Sequence, residues 1–186
     1  MTLHGLLLAA GAGSRMGRPK ALVVDPDGTP WLVRSVAVLL DGGCEAVTVV
    51  LGAGADEAAA LLPGGPVTSV VAADWAEGMS ASLRAGLTAV AESAADAVVI
   101  TLVDLPDVGA EVVRRVVAAG SGPSTLARAT YDGSPGHPVV LGRDHWSPAV
   151  ASARGDAGAR GYLADLEVAA VECGDLATGR DVDRRG

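Results

Sequence analysis

The sequence predicts an α/β fold with a mostly parallel central sheet, helices on both faces and an added β-hairpin. Three observations carry that expectation. Short strand-like runs recur at residues 6–10, 46–51, 67–71 and 97–103, segments with helical spacing separate them, and a later Asp132-Gly133 turn signal stands between two further strand-like runs.

The elements follow in order. Residues 6–10 are apolar and break at Gly11 and Gly13, the pattern of a buried strand feeding a tight loop. Trp31, Val36, Leu39 and Leu40 mark a first helix. Ala46–Leu51 reads as the second strand, closed by Gly52, and Val67–Val71 as the third. Met79, Leu83, Leu87 and Val90 fall on one helical face. Residues 97–103 form a fourth strand that ends at Asp104, and residues 108–119 a helix with Val112, Val113, Val116 and Val117 as its buried stripe. Residues 124–131 and 138–141 flank Asp132-Gly133 as a hairpin. Residues 157–166 read as a helix that Asp156 could cap. Trp75 and Trp146 read as core or lid packing. In open α/β sheets ligands sit outside the carboxyl ends of the strands. The loop after Ala10 and the acid after Val103 therefore share one edge.

A chain of 186 residues, 49% hydrophobic and 19% charged, suits one compact domain over residues 1–186 with a sizeable core. Its net charge of -8 has the wrong sign for a nucleic-acid backbone or an anionic membrane surface, so neither is an expected partner. Cys44 and Cys173 lie far apart, the first apolar stretch lacks a basic leader, and no run is long enough to span a bilayer. The expected compartment is a reducing cytoplasm, with both cysteines ordinary thiols.

Of the 14 basic residues 13 are Arg, and Lys20 is the sole lysine. In a background that so favours Arg, the survivor marks a place where a compact ammonium is wanted rather than a planar guanidinium. Lys20 closes the segment Leu7-Leu8-Ala9-Ala10-Gly11-Ala12-Gly13-Ser14-Arg15-Met16-Gly17-Arg18-Pro19-Lys20. Its glycines let backbone N–H groups approach an anion, and Arg15, Arg18 and Lys20 follow within reach. A dinucleotide fingerprint fails here, because Gly13 is followed by Gly17 and the second strand ends in Leu51-Gly52. A Walker A loop fails too, because Lys20 is followed by Ala21. The loop reads as a triphosphate cradle.

This segment resembles the signature of nucleotidyltransferases of the glycosyltransferase-A-like fold, specifically the molybdenum cofactor cytidylyltransferase-like group. The similarity continues through Gly78-Met79-Ser80-Ala81-Ser82-Leu83-Arg84, Asp104-Leu105-Pro106, Gly136-His137-Pro138-Val139 and Gly155-Asp156-Ala157-Gly158-Ala159-Arg160, and so spans nearly the whole chain. Molybdopterin guanylyltransferases usually read Leu-Ala-Gly-Gly in the loop, so Ala10 places the sequence nearer the cytidylyl type.

The resemblance implies transfer of a cytidylyl group from CTP to the terminal phosphate of molybdopterin or its molybdenum form, with release of pyrophosphate. It implies Mg²⁺ on Asp104 and, from the Asp181-Val182-Asp183 stretch, on Asp183; a turn role before Pro106 is the plain alternative for Asp104. Leu8, Ala9, Ala10, Gly11, Gly13, Gly78 and Ser82 are the implied nucleotide contacts, and Arg15, Lys20 and Asp104 the catalytic ones. Ser80 reads equally as a helix cap. His137 and Arg160 are the implied acceptor contacts, although His137 could be an ordinary strand-edge histidine. A molybdoenzyme or cofactor chaperone is the implied recipient of product. After Asp183 the match stops at Arg184-Arg185-Gly186, where relatives usually carry a closing helix, and the tail is expected to be mobile. Two alternatives stay open: another base or phosphorylated acceptor, and a nucleotide- or cofactor-binding partner protein without turnover.

Overall fold

Apolar runs that alternate with amphipathic segments assemble into a seven-stranded sheet. The computed structural model describes residues 1–183, and Arg184-Arg185-Gly186 lie outside the described residues. The elements are β1 (Leu3–Leu8), α1 (Trp31–Asp41), β2 (Ala46–Leu51), α2 (Ala55–Ala59), β3 (Val67–Val71), α3 (Met79–Ala91), β4 (Ala97–Leu102), α4 (Ala110–Ala118), β5 (Leu126–Tyr131), β6 (Ser134–Gly142), α5 (Trp146–Ser152), α6 (Arg160–Leu163) and β7 (Ala169–Glu172). Strand order is β3-β2-β1-β4-β6-β5-β7. The pairs β1–β2, β1–β4, β2–β3 and β5–β7 are parallel, whereas β6 runs antiparallel to both β4 and β5. The expected mostly parallel sheet with an added hairpin is what forms.

Alternation along each strand divides the core. Leu7, Val47, Val49 and Val99 meet Leu32, Val36 and Leu39 of α1 and Val112, Val113 and Val116 of α4 on one face. Leu6, Val50, Val98 and Leu141 meet Leu83, Leu87 and Val90 of α3 and Trp146 of α5 on the other. Side chains such as Leu7 and Leu83 are sealed from water, and truncating either to Ala costs about 2–5 kcal/mol. Trp146 packs as expected and donates its Nε1–H to the Leu141 carbonyl at 2.8 Å. Cys44 and Cys173 are buried free thiols, and burial pushes Cys44 up to about 12.

Several expectations need correction. β1 starts at Leu3 and stops at Leu8, because His4 and Gly5, polar or small in side chain, still pair their backbones with both β2 and β4. Ala9 and Ala10 therefore belong to the loop. β4 likewise stops at Leu102, and α4 begins only after Gly109. The expected helix over residues 157–166 is broken: residues 155–157 form a 3₁₀ turn, Gly158 takes φ +55°, and only Arg160–Leu163 is helical. α5 and the exposed edge strand β7 were not anticipated. Among the described residues no helix is long and apolar enough to cross a membrane.

Candidate active site

The parallel strands β1 and β4 lie side by side and end together, which puts the glycine loop and Asp104 on one edge. The loop is closed by its own backbone: Lys20 N–H donates to the Gly11 carbonyl at 3.3 Å and Met16 N–H to that of Gly13 at 2.7 Å. Gly13 takes φ +59°, and a Cβ there would stand 2.0 Å from the Arg18 carbonyl oxygen, so only glycine permits this closure.

Lys20 is drawn inward by that closure. Its ammonium hydrogen-bonds the Asp104 carboxylate and lies 2.7 Å from Asp183 Oδ1. Burial acts to lower the Lys20 pKa, but the two carboxylates outweigh it and the pKa is raised. Lys20, and more weakly Arg15, hold Asp183 below the usual carboxylate range. The Arg15–Asp183 contact, 3.1 Å, is solvent-exposed and contributes little to stability. The tail is anchored rather than loose as far as Asp183. Thr178 donates its N–H and Oγ1–H to Asp107, each at 2.6 Å, and Val182 N–H donates to the Asp104 carbonyl at 3.0 Å.

Docking of the tail gathers three acids. Asp104, Asp181 and Asp183 each present a carboxylate oxygen, all within 4.8 Å of one another. Like charges this close repel unless a cation stands among them, and Lys20 serves two of the three. Full-charge oxygen donors of this kind suit a hard divalent ion, so the set fits one. Asp181 thus joins the two acids named from sequence.

A cavity of about 290 Å³ opens beside the cluster, lined by Leu8, Ala10, Gly11, Lys20, Gly78, Ser82 and Asp104 together with Trp75 and Asp156. Gly13 and Arg15 line the adjoining recess with Lys20 and Asp183. Ala9 does not reach the cavity: it is buried in the core below, its N–H bonded to the Val50 carbonyl at 2.9 Å. Ser80 is not the helix cap. Gly78 holds that position, and the buried Ser80 hydroxyl accepts the Gly158 N–H at 3.1 Å. Asp156 likewise caps no helix; it lies against Gly78, where a Cβ would stand 2.3 Å from its Oδ1. Trp75 packs against the core beneath α3 and also lines the cavity.

His137 and Arg160 come together elsewhere, in a neighbouring cavity of about 300 Å³ that also takes in Asp181. Burial, then the charges of Arg128 and Arg160, push His137 down to about 4, so its imidazole is neutral at pH 7. Met79 and Leu102 line both of these cavities and lie where the two adjoin.

Backbone amides and cations on one rim, with oxygen donors for a divalent ion beside them, are the provision an enzyme makes for transferring phosphorylated groups. The chain belongs to the MobA-like NTP transferase domain family, matched over residues 5–171, and is a nucleotidyltransferase. It is 40% identical to nicotine blue oxidoreductase of Paenarthrobacter nicotinovorans over 96% of this chain and 91% of that protein. It is 33% identical to molybdenum cofactor guanylyltransferase of Rhodobacter capsulatus over 81% of this chain and 68% of that protein. Among solved structures, Rv0371c of Mycobacterium tuberculosis H37Rv in complex with manganese superposes with a TM-score of 0.78 at 26% identity, covering 98% of this chain and 94% of that one. Nucleotidyltransferases of this kind use divalent metals.

Proposed function

We propose that this protein, acting as one unit over residues 1–186 in the cytoplasm, transfers a cytidylyl group from CTP to the terminal phosphate of molybdopterin or its molybdenum form and releases pyrophosphate. The observation that carries the reading is the Lys20–Asp104–Asp183 cluster beside the glycine-loop cavity, with Asp181 next to it lining the second cavity. Leu8, Ala10, Gly11, Gly13, Gly78 and Ser82 receive the nucleotide, and Ala9 fixes the loop from below. His137 and Arg160 face the acceptor, and a molybdoenzyme or cofactor chaperone takes the product.

The acceptor phosphate is already a nucleophile at neutral pH, so no Ser, Cys or His nucleophile is required. The residues instead hold acceptor oxygen and departing pyrophosphate on opposite sides of the α-phosphorus. Lys20 supplies a point charge at the triphosphate and Arg15 a second, more exposed one. Asp104 and Asp183, with Asp181 alongside, hold Mg²⁺, which when bound offsets charge on phosphate oxygens.

The Ala10 methyl narrows the cavity relative to glycine and disfavours a purine. The guanylyltransferase relative supports the acceptor class and leaves the base to this loop. The test is a pyrophosphate-release screen of CTP, GTP, ATP and UTP against molybdopterin and common sugar phosphates. Release with CTP and molybdopterin is expected; release only with another pair reassigns base or acceptor, and nucleotide binding without release makes the protein a carrier.

The relative at 40% identity, an oxidoreductase by name, favours a second reading, a redox reaction on a substrate held in the same cavities. A redox reaction with nicotine blue, with no pyrophosphate released in the screen, decides for it.

A further inference from the structure

Arg128 occupies a strand position that the alternation turns inward. On β5, Ala127, Ala129 and Tyr131 pack into the core beneath α1 and α4, whereas Leu126 packs against the core beneath α3 and α5. Arg128 follows Leu126 by two residues and so shares its face. Its cross-strand neighbour on β6, Val139, belongs to that same apolar core.

An arginine there needs a counter-charge, and among the described residues no carboxylate pairs with it. Arg128 is half-buried, and its Nε is shielded from water without a hydrogen-bond partner. Among the described residues neither Arg128 nor Arg160 forms an ion pair. Both line the cavity of about 300 Å³ that holds His137. Burial and then the charge of Arg160 lower the Arg128 pKa. His137, neutral beside them, adds no third charge and offers a hydrogen bond.

The buried, unpartnered Nε of Arg128 is costly until an anion enters, and the exposed Arg160 lines the same cavity with its charge free to join it. Their planar forks match the oxygens of a phosphate. Asp181 connects this cavity to the carboxylate cluster, so an anion held here lies next to the ion site, and Met79 and Leu102 line both this cavity and the one at the glycine loop, so the two adjoin.

We propose that Arg128 and Arg160 form a dedicated site for the phosphomonoester end of the acceptor, an inference that rests on the nucleotidyl-transfer reading. Arg128 fixes the substrate class: a phosphorylated molecule with an apolar or planar body that fills the space beside Met79 and Leu102.

The test is modification of arginines by phenylglyoxal, followed residue by residue through peptide mass, on the whole protein. Inorganic phosphate, against sodium chloride at equal ionic strength, is expected to slow modification of Arg128 and Arg160 several-fold. CTP with Mg²⁺ is expected to protect Arg15. Protection of Arg15 by CTP without protection of Arg128 and Arg160 by phosphate overturns this inference and leaves the nucleotide reading standing. Protection of the pair by phosphate with no effect of CTP at Arg15 keeps the anion site and removes the nucleotide reading. In Arg128→Met, checked for folding by circular dichroism, phosphate should no longer protect Arg160. Retained protection there would show that Arg128 is not part of the site.

Discussion

Lys20 and Asp104 meet at the carboxyl edge of the sheet, the ammonium of one hydrogen-bonded to the carboxylate of the other, with Asp183 completing the contact at 2.7 Å. Asp104 is buried, whereas Asp183 is half-exposed. Removing one partner of a shielded ion pair leaves the other uncompensated. The three residues are therefore unequal, and substitution should sort them.

Lys20→Arg keeps the positive charge but not its compactness. Pyrophosphate release should fall by about a hundredfold, in the range found when one charge-stabilising donor is lost, with the melting temperature nearly unchanged. Lys20→Met should instead lower the melting temperature at pH 7, because Asp104 and Asp183 then face each other without a cation. Near wild-type turnover in Lys20→Arg refutes a catalytic role.

Asp104→Asn should abolish turnover and weaken manganese binding followed by calorimetry. Asp183→Asn should do less of both, since its carboxylate is more exposed and Asp181 stands beside it. Ordinary activity of Asp104→Asn at low millimolar Mg²⁺ would mean that the acid only shapes the turn before Pro106.

The protein has three tryptophans, of which Trp31 and Trp146 are buried and Trp75 lines the cavity at the glycine loop. CTP with Mg²⁺ should quench intrinsic fluorescence, and Trp75→Phe should abolish the change. Unaltered fluorescence at nucleotide concentrations that calorimetry shows to be saturating would put the nucleotide elsewhere.

Glu172 ties the β5–β6 turn to β7. Its carboxylate accepts the N–H groups of Gly174, Asp132 and Gly133 and the Thr130 hydroxyl, which together pull it from 4.5 down to about 2. A folded-state pKa below the unfolded one stabilises the fold above the unfolded value, and that stability drains away as pH falls through the folded value. Acid melting curves of the wild type should therefore lose stability between about pH 4.5 and 2 in a way that Glu172→Gln does not. The variant should also melt lower at pH 7. Parallel curves would show that these contacts are not kept in solution.

Strands β1, β2 and β4 were legible because parallel strands buried on both faces must be written as apolar runs, and the ends of β1 and β4 located the loop and Asp104, whereas the edge strand β3 was legible from its β-branched residues. β7 was not, since Ala169-Ala170-Val171-Glu172 is short, exposed and marked mainly by what Glu172 holds. The helix expected after Asp156 failed on Gly158, whose backbone the pattern of side chains does not report. Lys20 stood out by composition alone. Arg128 did not, because a lone arginine in an alternating strand is ordinarily placed toward water, and only the register with Val139 reveals it on the apolar side. Asp181 came into view only when the Val182 backbone bond to Asp104 docked the tail.

Residues 155–160 contribute to two places at once. Asp156 lines the cavity at the glycine loop, while Ala157, Ala159 and Arg160 line the one behind Met79 and Leu102, and the Gly158 amide is pinned to Ser80 between them. A displacement of this short stretch reshapes both chambers together. If occupancy of one draws the stretch inward, occupancy of the other is altered by the same free energy, and the influence runs equally in either direction. Which ligand arrives first would then be a matter of rates, not of a gate that opens for only one of them.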